Sequence, residues 1–440
     1  MELLKLEKAW QQYIAKHQGR RGYAHFDSKN IHLGLTEIQE YVCDQEKIAH
    51  HSFYPFIQYI AKQRKAIKKD GQLTFKDKER MISYSSHKDN CIYQRYAFLI
   101  NQYYNQFSRE HGLDGVAVAY RDNLHKAPHK LAAEAFEFIE KQQSCFIMVS
   151  DFSNFFDKIQ HAYLKRRLCQ LMGVDGLPAD YYQVFKNITK YGKCQLTDIL
   201  KVRNITGNIE IARKKLAKEH AKALNKEQFE AFKHKITKNK EAYGTPQGSP
   251  LSAVLANVYM MEYDLEMNGL AQSLGGKYMR YSDDTIMILP IKDQEEVERY
   301  FQIVQEIWSH YEGLVELQPN KTKQYYYENG TVVPVSEGTN SFIDFLGLRL
   351  TSKGIAIKPK CFTKYHHRMQ GKAKTIKRQR KRGMNVAATN LYKHYGDSRK
   401  ELNLVSYLHR VARDIDLSQD KEAQALLKGG AKRKIRKALK

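Results

Sequence analysis

Two short apolar runs in this chain each end on aspartate, and no other feature constrains the fold as tightly. Cys145 to Asp151 reads CFIMVSD, and Lys277 to Asp284 reads KYMRYSDD. Each run is short and rich in strand formers, so each predicts a buried strand with a carboxylate at its end. Apolar residues resume from Thr285 to Pro290, which predicts a hairpin turning at Ser282-Asp283-Asp284. A carboxylate in apolar surroundings is unfavourable unless it is neutralised. Mg²⁺, a hard cation that takes oxygen ligands, would neutralise it. Two such ions about 4 Å apart clamp the attacking and leaving oxygens of an in-line phosphoryl transfer. Alone, Ser-Asp-Asp is ordinary turn chemistry, so the reading depends on its surroundings.

Charge gives the first support. Lys and Arg number 73 against 48 Asp and Glu, a formal net charge of +25. Such an excess fits a polyanion whose phosphates are neutralised along a groove. A membrane surface is the competing polyanion, but no run is long and apolar enough to span a bilayer. The N-terminal MELLKLEKAWQQY lacks the apolar core of a signal peptide. The expectation is a soluble, cytoplasmic protein. The six cysteines form no CxxC pair, which argues against a zinc ribbon or a disulfide framework and predicts reduced thiols.

The apolar spacing divides the chain into six parts. Residues 1–70 read as a helical extension ending in the basic run Lys62, Arg64, Lys65, Lys68 and Lys69. Residues 71–145 contain helices near 90–107 and 128–142. Residues 146–190 begin with the first aspartate strand. Residues 191–242 read as a basic, mostly helical insertion. Residues 243–350 hold the loop GTPQGSP, a helix from 251 with Ser249 as its cap, the aspartate hairpin, a helix over 294–312 and strands near 314–317, 322–327 and 341–350. Residues 351–440 read as basic helices, with a disordered tail from Gly429 that binds RNA nonspecifically.

Taken in order, these segments resemble reverse transcriptases. Tyr281 to Asp284 resembles that family's Tyr-x-Asp-Asp box, and DFSNFFD from Asp151 its first catalytic motif. GTPQGSPL from Gly244, Phe345-Leu346-Gly347-Leu348 and LQPNKTK over 317–323 match three further motifs. The resemblance implies an α+β right-hand polymerase: fingers (71–145), a palm with an antiparallel sheet (146–190 and 243–350) and a helical thumb (351–440). It implies two Mg²⁺ ions held by Asp151, Phe152, Asp283 and Asp284. Asp151 and Asp283 would be the main ligands and Asp284 an auxiliary one. Gln247 would meet the incoming nucleotide, and Phe156 would exclude a ribose 2′-hydroxyl. Arg80, with Lys76 and Lys78 nearby, and Lys323 would contact the triphosphate. Phe345, Leu346 and Gly347 would hold the primer end. For Lys323 and the finger lysines a solvated position is the competing reading; for Phe156 it is core packing. Asp157 reads as structural.

RMISYSSHKDNCIYQRY over 80–96 and VAYR over 118–121 are most similar to bacterial defence-associated enzymes of the "unknown group" lineage. That resemblance implies antiphage defence with a structured non-coding RNA. The expected partners are an RNA template, a DNA product and deoxynucleoside triphosphates. Two alternatives stand beside this: an RNA-dependent RNA polymerase, which Phe156 disfavours, and a non-catalytic, maturase-like RNA-binding protein. The basic residues Lys358 to Arg382 would grip a duplex, and His366 and His367 read as duplex-facing or solvated.

Overall fold

The computed structural model describes the backbone of all residues except 1–2, 20–21, 70–71, 122, 125, 319–320, 336–339 and 397–402, and leaves out the side chains at 3, 64–69, 72–73 and 75–76. Pro319 and Asn320 of the LQPNKTK segment and the Lys76 side chain therefore lie outside the described residues.

The chain is mixed α+β. Its described strands, in order, are β1 (Phe56–Lys69), β2 (Gln72–Tyr84), β3 (Ser144–Asp151), β4 (Gly192–Gln195), β5 (Thr237–Lys238), β6 (Lys277–Tyr281), β7 (Asp284–Pro290), β8 (Lys323–Glu328), β9 (Thr331–Pro334), β10 (Ile343–Phe345), β11 (Leu348–Thr351) and β12 (Gly354–Ile357). Both aspartate runs form strands of one antiparallel sheet, ordered β6-β7-β3-β8-β9. Residues alternate across this sheet. Phe146, Met148, Met287 and Leu289 join a core with the helices His87–Glu110 and Pro250–Tyr259. Cys145, Ile147, Ile286 and Ile288 join a second core with the helices Pro128–Glu140 and Leu404–Asp414. Burial on both faces explains why these strands read as continuous apolar runs rather than alternating ones.

The first seventy residues depart from the helical reading. Helices end at Ala49, and the basic run forms part of β1, paired residue by residue with β2 from Ile57–Tyr84 to Lys69–Gln72. Ala, Lys, Gln and Arg favour a helix locally, but thirteen residues of cross-strand pairing override so weak a preference. The sequence signal for the hairpin is Asp70-Gly71, a dipeptide favoured in two-residue hairpin loops. The basic segment 191–242 is helical over much of its length, and β4 and β5 also join it to the hairpin: β4 pairs in parallel with β1 at Phe56–Lys193. Near 314–317 there is only an isolated bridge, Phe152 to Leu317.

The C-terminal part is helical, as expected, and starts from the long helix Pro359–Lys381. The tail is a correction. Residues Ala431–Leu439 form a helix, and Ile435 is wholly buried against Met369, Ala373 and Leu391. Burying one isoleucine contributes about 2 kcal/mol, which opposes the disorder that the charges alone suggest. None of the six cysteines is in a disulfide. Among the described residues no helix is long and apolar enough to cross a membrane.

Candidate active site

The register of β3 and β7 sets Asp151 directly opposite Asp284. Asp283 lies in the β6–β7 turn, and its carbonyl accepts the Phe152 N–H at 3.1 Å. The three carboxylates thus converge at one end of the sheet. Burial, then repulsion by Asp283 and Asp151, pushes the Asp284 carboxyl up to about 6. The Lys321 ammonium sits 2.8 Å from Asp151 Oδ2. Among the described residues, no three His, Cys, Asp or Glu side chains are arranged as a ready metal cage.

The turn is held from below by an ion pair that the sequence reading missed. Arg280 and Asp264 are both fully buried, with Nη2 donating to Oδ2 at 2.6 Å and Nε to Oδ1 at 2.8 Å. Tyr278 Oη also donates to Asp264, at 3.2 Å. The remaining Arg280 nitrogen, Nη1, donates to the Ser282 carbonyl at 3.1 Å. Ser282 itself has φ 61°, the left-handed region that a serine adopts only under constraint. From above, Tyr120 Oη donates to Ser282 Oγ at 3.0 Å. Tyr120 (φ 61°) and Asn154 (φ 47°) share that backbone region and line the same cleft. Strain therefore gathers where the carboxylates are aimed.

The cleft measures about 750 Å³ and is lined by Lys78, Arg80, Asp151, Phe156, Gln247 and Asp283, among others. Phe152 is buried beside Asp151 and lines it too. The GTPQGSP loop is fixed to its neighbours by backbone bonds: Thr245 N–H to the Phe156 carbonyl at 2.9 Å, and Ser83 N–H to the Gln247 carbonyl at 2.8 Å. Gly248 makes that docking feasible. It has φ 125°, and a Cβ there would stand 2.3 Å from the Ser83 carbonyl oxygen. The Gln247 amide donates to Asp157 at 3.3 Å, which suits the structural role expected of Asp157. Ser249 caps the helix Pro250–Tyr259, as its position predicted. Burial, then Arg80 and Lys321, lowers the Lys78 ammonium below its usual range, so the cations here crowd one another.

Most of the expected site residues meet in this one cleft; Asp284, which faces Asp151 across the sheet, is not among its lining residues, and three other expectations also depart. Lys323 does not line it; it lies on β8 opposite Val149, and Lys321, two residues earlier, is the lysine that reaches Asp151. Phe345, Leu346 and Gly347 stand apart, at the β10–β11 turn, where Leu346 has φ 42° and Gly347 φ 91°. His366 lies outside this cleft, partly exposed, with its Nε2 2.9 Å from Glu422 Oε1 and 2.9 Å from Lys434 Nζ. Tyr120 and Asp264 went unassigned because neither stands in a motif that names a role for it. Their partners, Ser282 and Arg280, are distant in sequence and adjacent only in the fold.

Residues 67–350 match the family described as "Reverse transcriptase (RNA-dependent DNA polymerase)". No curated protein matches the chain. Among solved structures it is similar to apo telomerase from Candida tropicalis truncated from its C-terminal domain, at 11% identity and a TM-score of 0.36, over 69% of this chain and 57% of that one. It is also similar to telomerase from Candida albicans in complex with a TWJ fragment of telomeric RNA, at 14% identity and a TM-score of 0.36, over 93% of this chain and 57% of that one. The chain thus spans little more than half the length of either structure, at scores too low to bear on the fold. The family match needs no help from them. It covers well over half of the chain and all five strands of the carboxylate sheet, and by it this protein belongs to the reverse transcriptase family.

Proposed function

We propose that the chain is an RNA-directed DNA polymerase that transfers nucleotides with two divalent metal ions. One observation carries the reading: Asp151 and Asp284 face each other across β3 and β7, with Asp283 in the adjoining turn, and Asp151 and Asp283 line a cleft together with Lys78, Arg80 and Lys321. The donor set fits Mg²⁺, since it is all oxygen, and burial together with repulsion from Asp283 and Asp151 raises Asp284, which a cation would relieve. Lys321 already places a positive charge on Asp151. Asp151 and Asp283 would be the principal ligands, with Phe152 through its carbonyl and Asp284 in support. When bound, such ions neutralise the carboxylates and lower the pKa of a primer hydroxyl.

The chain's own residues supply selection and positioning. Phe156 is partly buried with its ring at the cleft wall, where it would collide with a 2′-hydroxyl. Arg80 and Lys78 offer charge-assisted hydrogen bonds to a triphosphate. Lys321 takes the role that the sequence gave Lys323. Gln247 is set at the nucleotide by the loop that Ser83 anchors. Phe345, Leu346 and Gly347 would seat the primer. The wider role, antiphage defence with a structured non-coding RNA, draws on the resemblance of residues 80–96 and 118–121 alone.

The test is incorporation of labelled deoxynucleotides on an RNA template with a DNA primer and Mg²⁺. Wild type extends the primer, whereas Asp283→Ala with Asp284→Ala binds the template and extends nothing. Equal extension by that double variant would sink the assignment. Phe156→Ala should admit ribonucleotides, and unchanged sugar selectivity removes the gate. A wild type that binds RNA and extends no primer would favour the maturase-like reading. For defence, phage plating on cells carrying wild type or the double variant should differ.

A further inference from the structure

We propose that the groove between the long helix Pro359–Lys381 and the C-terminal helix Ala431–Leu439 is a second nucleic-acid site, which holds RNA backbone outside the catalytic cleft. The inference does not use the carboxylates and goes beyond the polymerase reading.

The long helix has two basic faces. At 100° per residue, Lys364, Arg368 and Lys372 form one stripe. They line a concavity of about 510 Å³ together with Tyr407 and Arg410. The Tyr407 hydroxyl lies 3.9 Å from where a Cβ on Gly347 would stand, so this face looks toward the expected primer turn. Lys374, Lys377 and Lys381 form a stripe on the opposite side. They make one wall of a groove of about 940 Å³, and Lys434 and Lys437 of the C-terminal helix make the other. Arg378 also lines this groove, Met369 and Ala438 supply apolar surface, and no carboxylate is among the lining residues.

Apart from Lys434, packing does not involve these cations. The two helices are joined by Ile435, Met369, Ala373 and Leu391. They are also joined at one end by His366, which lies within hydrogen-bonding reach of both Glu422 and Lys434. Among the described residues no carboxylate pairs with Lys374, Lys377, Arg378, Lys381 or Lys437. Like charges facing each other across a concave surface are unfavourable until a polyanion enters. A bilayer is flat and would meet only one wall. The stripe from Lys374 to Lys381 runs about 10 Å, which matches about three phosphates of a helical strand at ~3.4 Å of axis each. A nucleic-acid backbone fits both the shape and the spacing, and RNA is the polyanion that this family's chemistry brings to the protein.

The experiment uses the full chain with Lys374→Gln, Lys377→Gln, Lys434→Gln and Lys437→Gln combined. Its probe is a labelled single-stranded RNA of mixed sequence, titrated over a range of salt. Removing four contacts should lower the slope of log affinity against log salt by about 3 and weaken binding at moderate salt by about tenfold or more. Lys374→Arg, Lys377→Arg, Lys434→Arg and Lys437→Arg combined should bind as wild type does. Thermal melting should fall only slightly, because of the substituted side chains only Lys434 touches a contact that joins the helices, an exposed polar one, and the core between them is untouched. Extension of a short primer–template should fall far less than RNA affinity, while Lys364→Gln, Arg368→Gln and Lys372→Gln together should impair extension. Unchanged RNA affinity and slope would overturn the proposal. So would a parallel loss of extension and RNA binding, or polyglutamate binding to wild type as tightly as RNA. Because the RNA arm reads binding alone, it remains decisive even if the wild type extends no primer.

Discussion

The carboxylate sheet and the long basic helix, both proposed here to handle phosphate, are built by opposite rules. In the sheet each charge has one position. Asp151 and Asp284 are fixed by strand register, and Asp283 by a turn with a left-handed serine. Beneath it lies an arginine–aspartate pair with no exposure. On the helix, charge is repeated along two exposed stripes, and no single lysine is held by an elaborate set of partners. The difference follows from the tasks. In-line transfer needs donors placed to a fraction of an ångström, whereas gripping a polyanion needs charge density along a path. Single substitutions should therefore be severe in the first region and mild in the second.

The largest effect tests the strict side. Asp283→Asn should reduce incorporation by about a thousandfold or more, in line with loss of a preorganised electrostatic element, with RNA affinity nearly unchanged in a binding titration. A loss under tenfold would break the comparison. Next, Asp264→Asn leaves Arg280 charged and unpaired in the core. Urea unfolding should show a loss of about 3–5 kcal/mol. Replacing both partners, Arg280→Met with Asp264→Leu, should recover much of that stability, and any activity still missing then measures what the bond to the Ser282 carbonyl contributes to aiming Asp283. Third, Gly248→Ala forces the loop away from Ser83. We expect about 1–3 kcal/mol of destabilisation and a raised KM for the nucleotide, read in steady-state extension. The smallest effects belong to the helix: Lys364→Gln or Arg368→Gln alone should weaken template binding by about two- to fivefold, with a salt slope lower by about one. A single lysine whose removal abolished binding would show that the helix, too, has a privileged position.

The candidate site was legible in large part because its residues cluster into short motifs, each with its own local signal. Asp151 and Asp283 ended apolar runs, Gln247 stood in a Pro-and-Gly loop, and Phe156 stood five residues after Asp151. The errors have a common cause. The basic run of β1 looked helical because a strand's partner lies across a turn and outside any local window. The tail looked disordered because one isoleucine among lysines matters only once Met369 and Leu391 stand opposite it. The same holds for Lys321 and Lys323: two lysines in one motif are equivalent until the strand that starts at Lys323 fixes which of them meets Asp151.

By itself the sequence determined the two aspartate strands, the family and the positive charge, because each is written in adjacent residues or in composition. Only the tertiary structure decided that Asp264 neutralises Arg280, that Tyr120 meets Ser282, and that the basic residues of one helix divide between two separate faces. Those outcomes depend on which surfaces are driven together when the cores close, and an electrostatic partner remote in sequence leaves no mark in the local pattern.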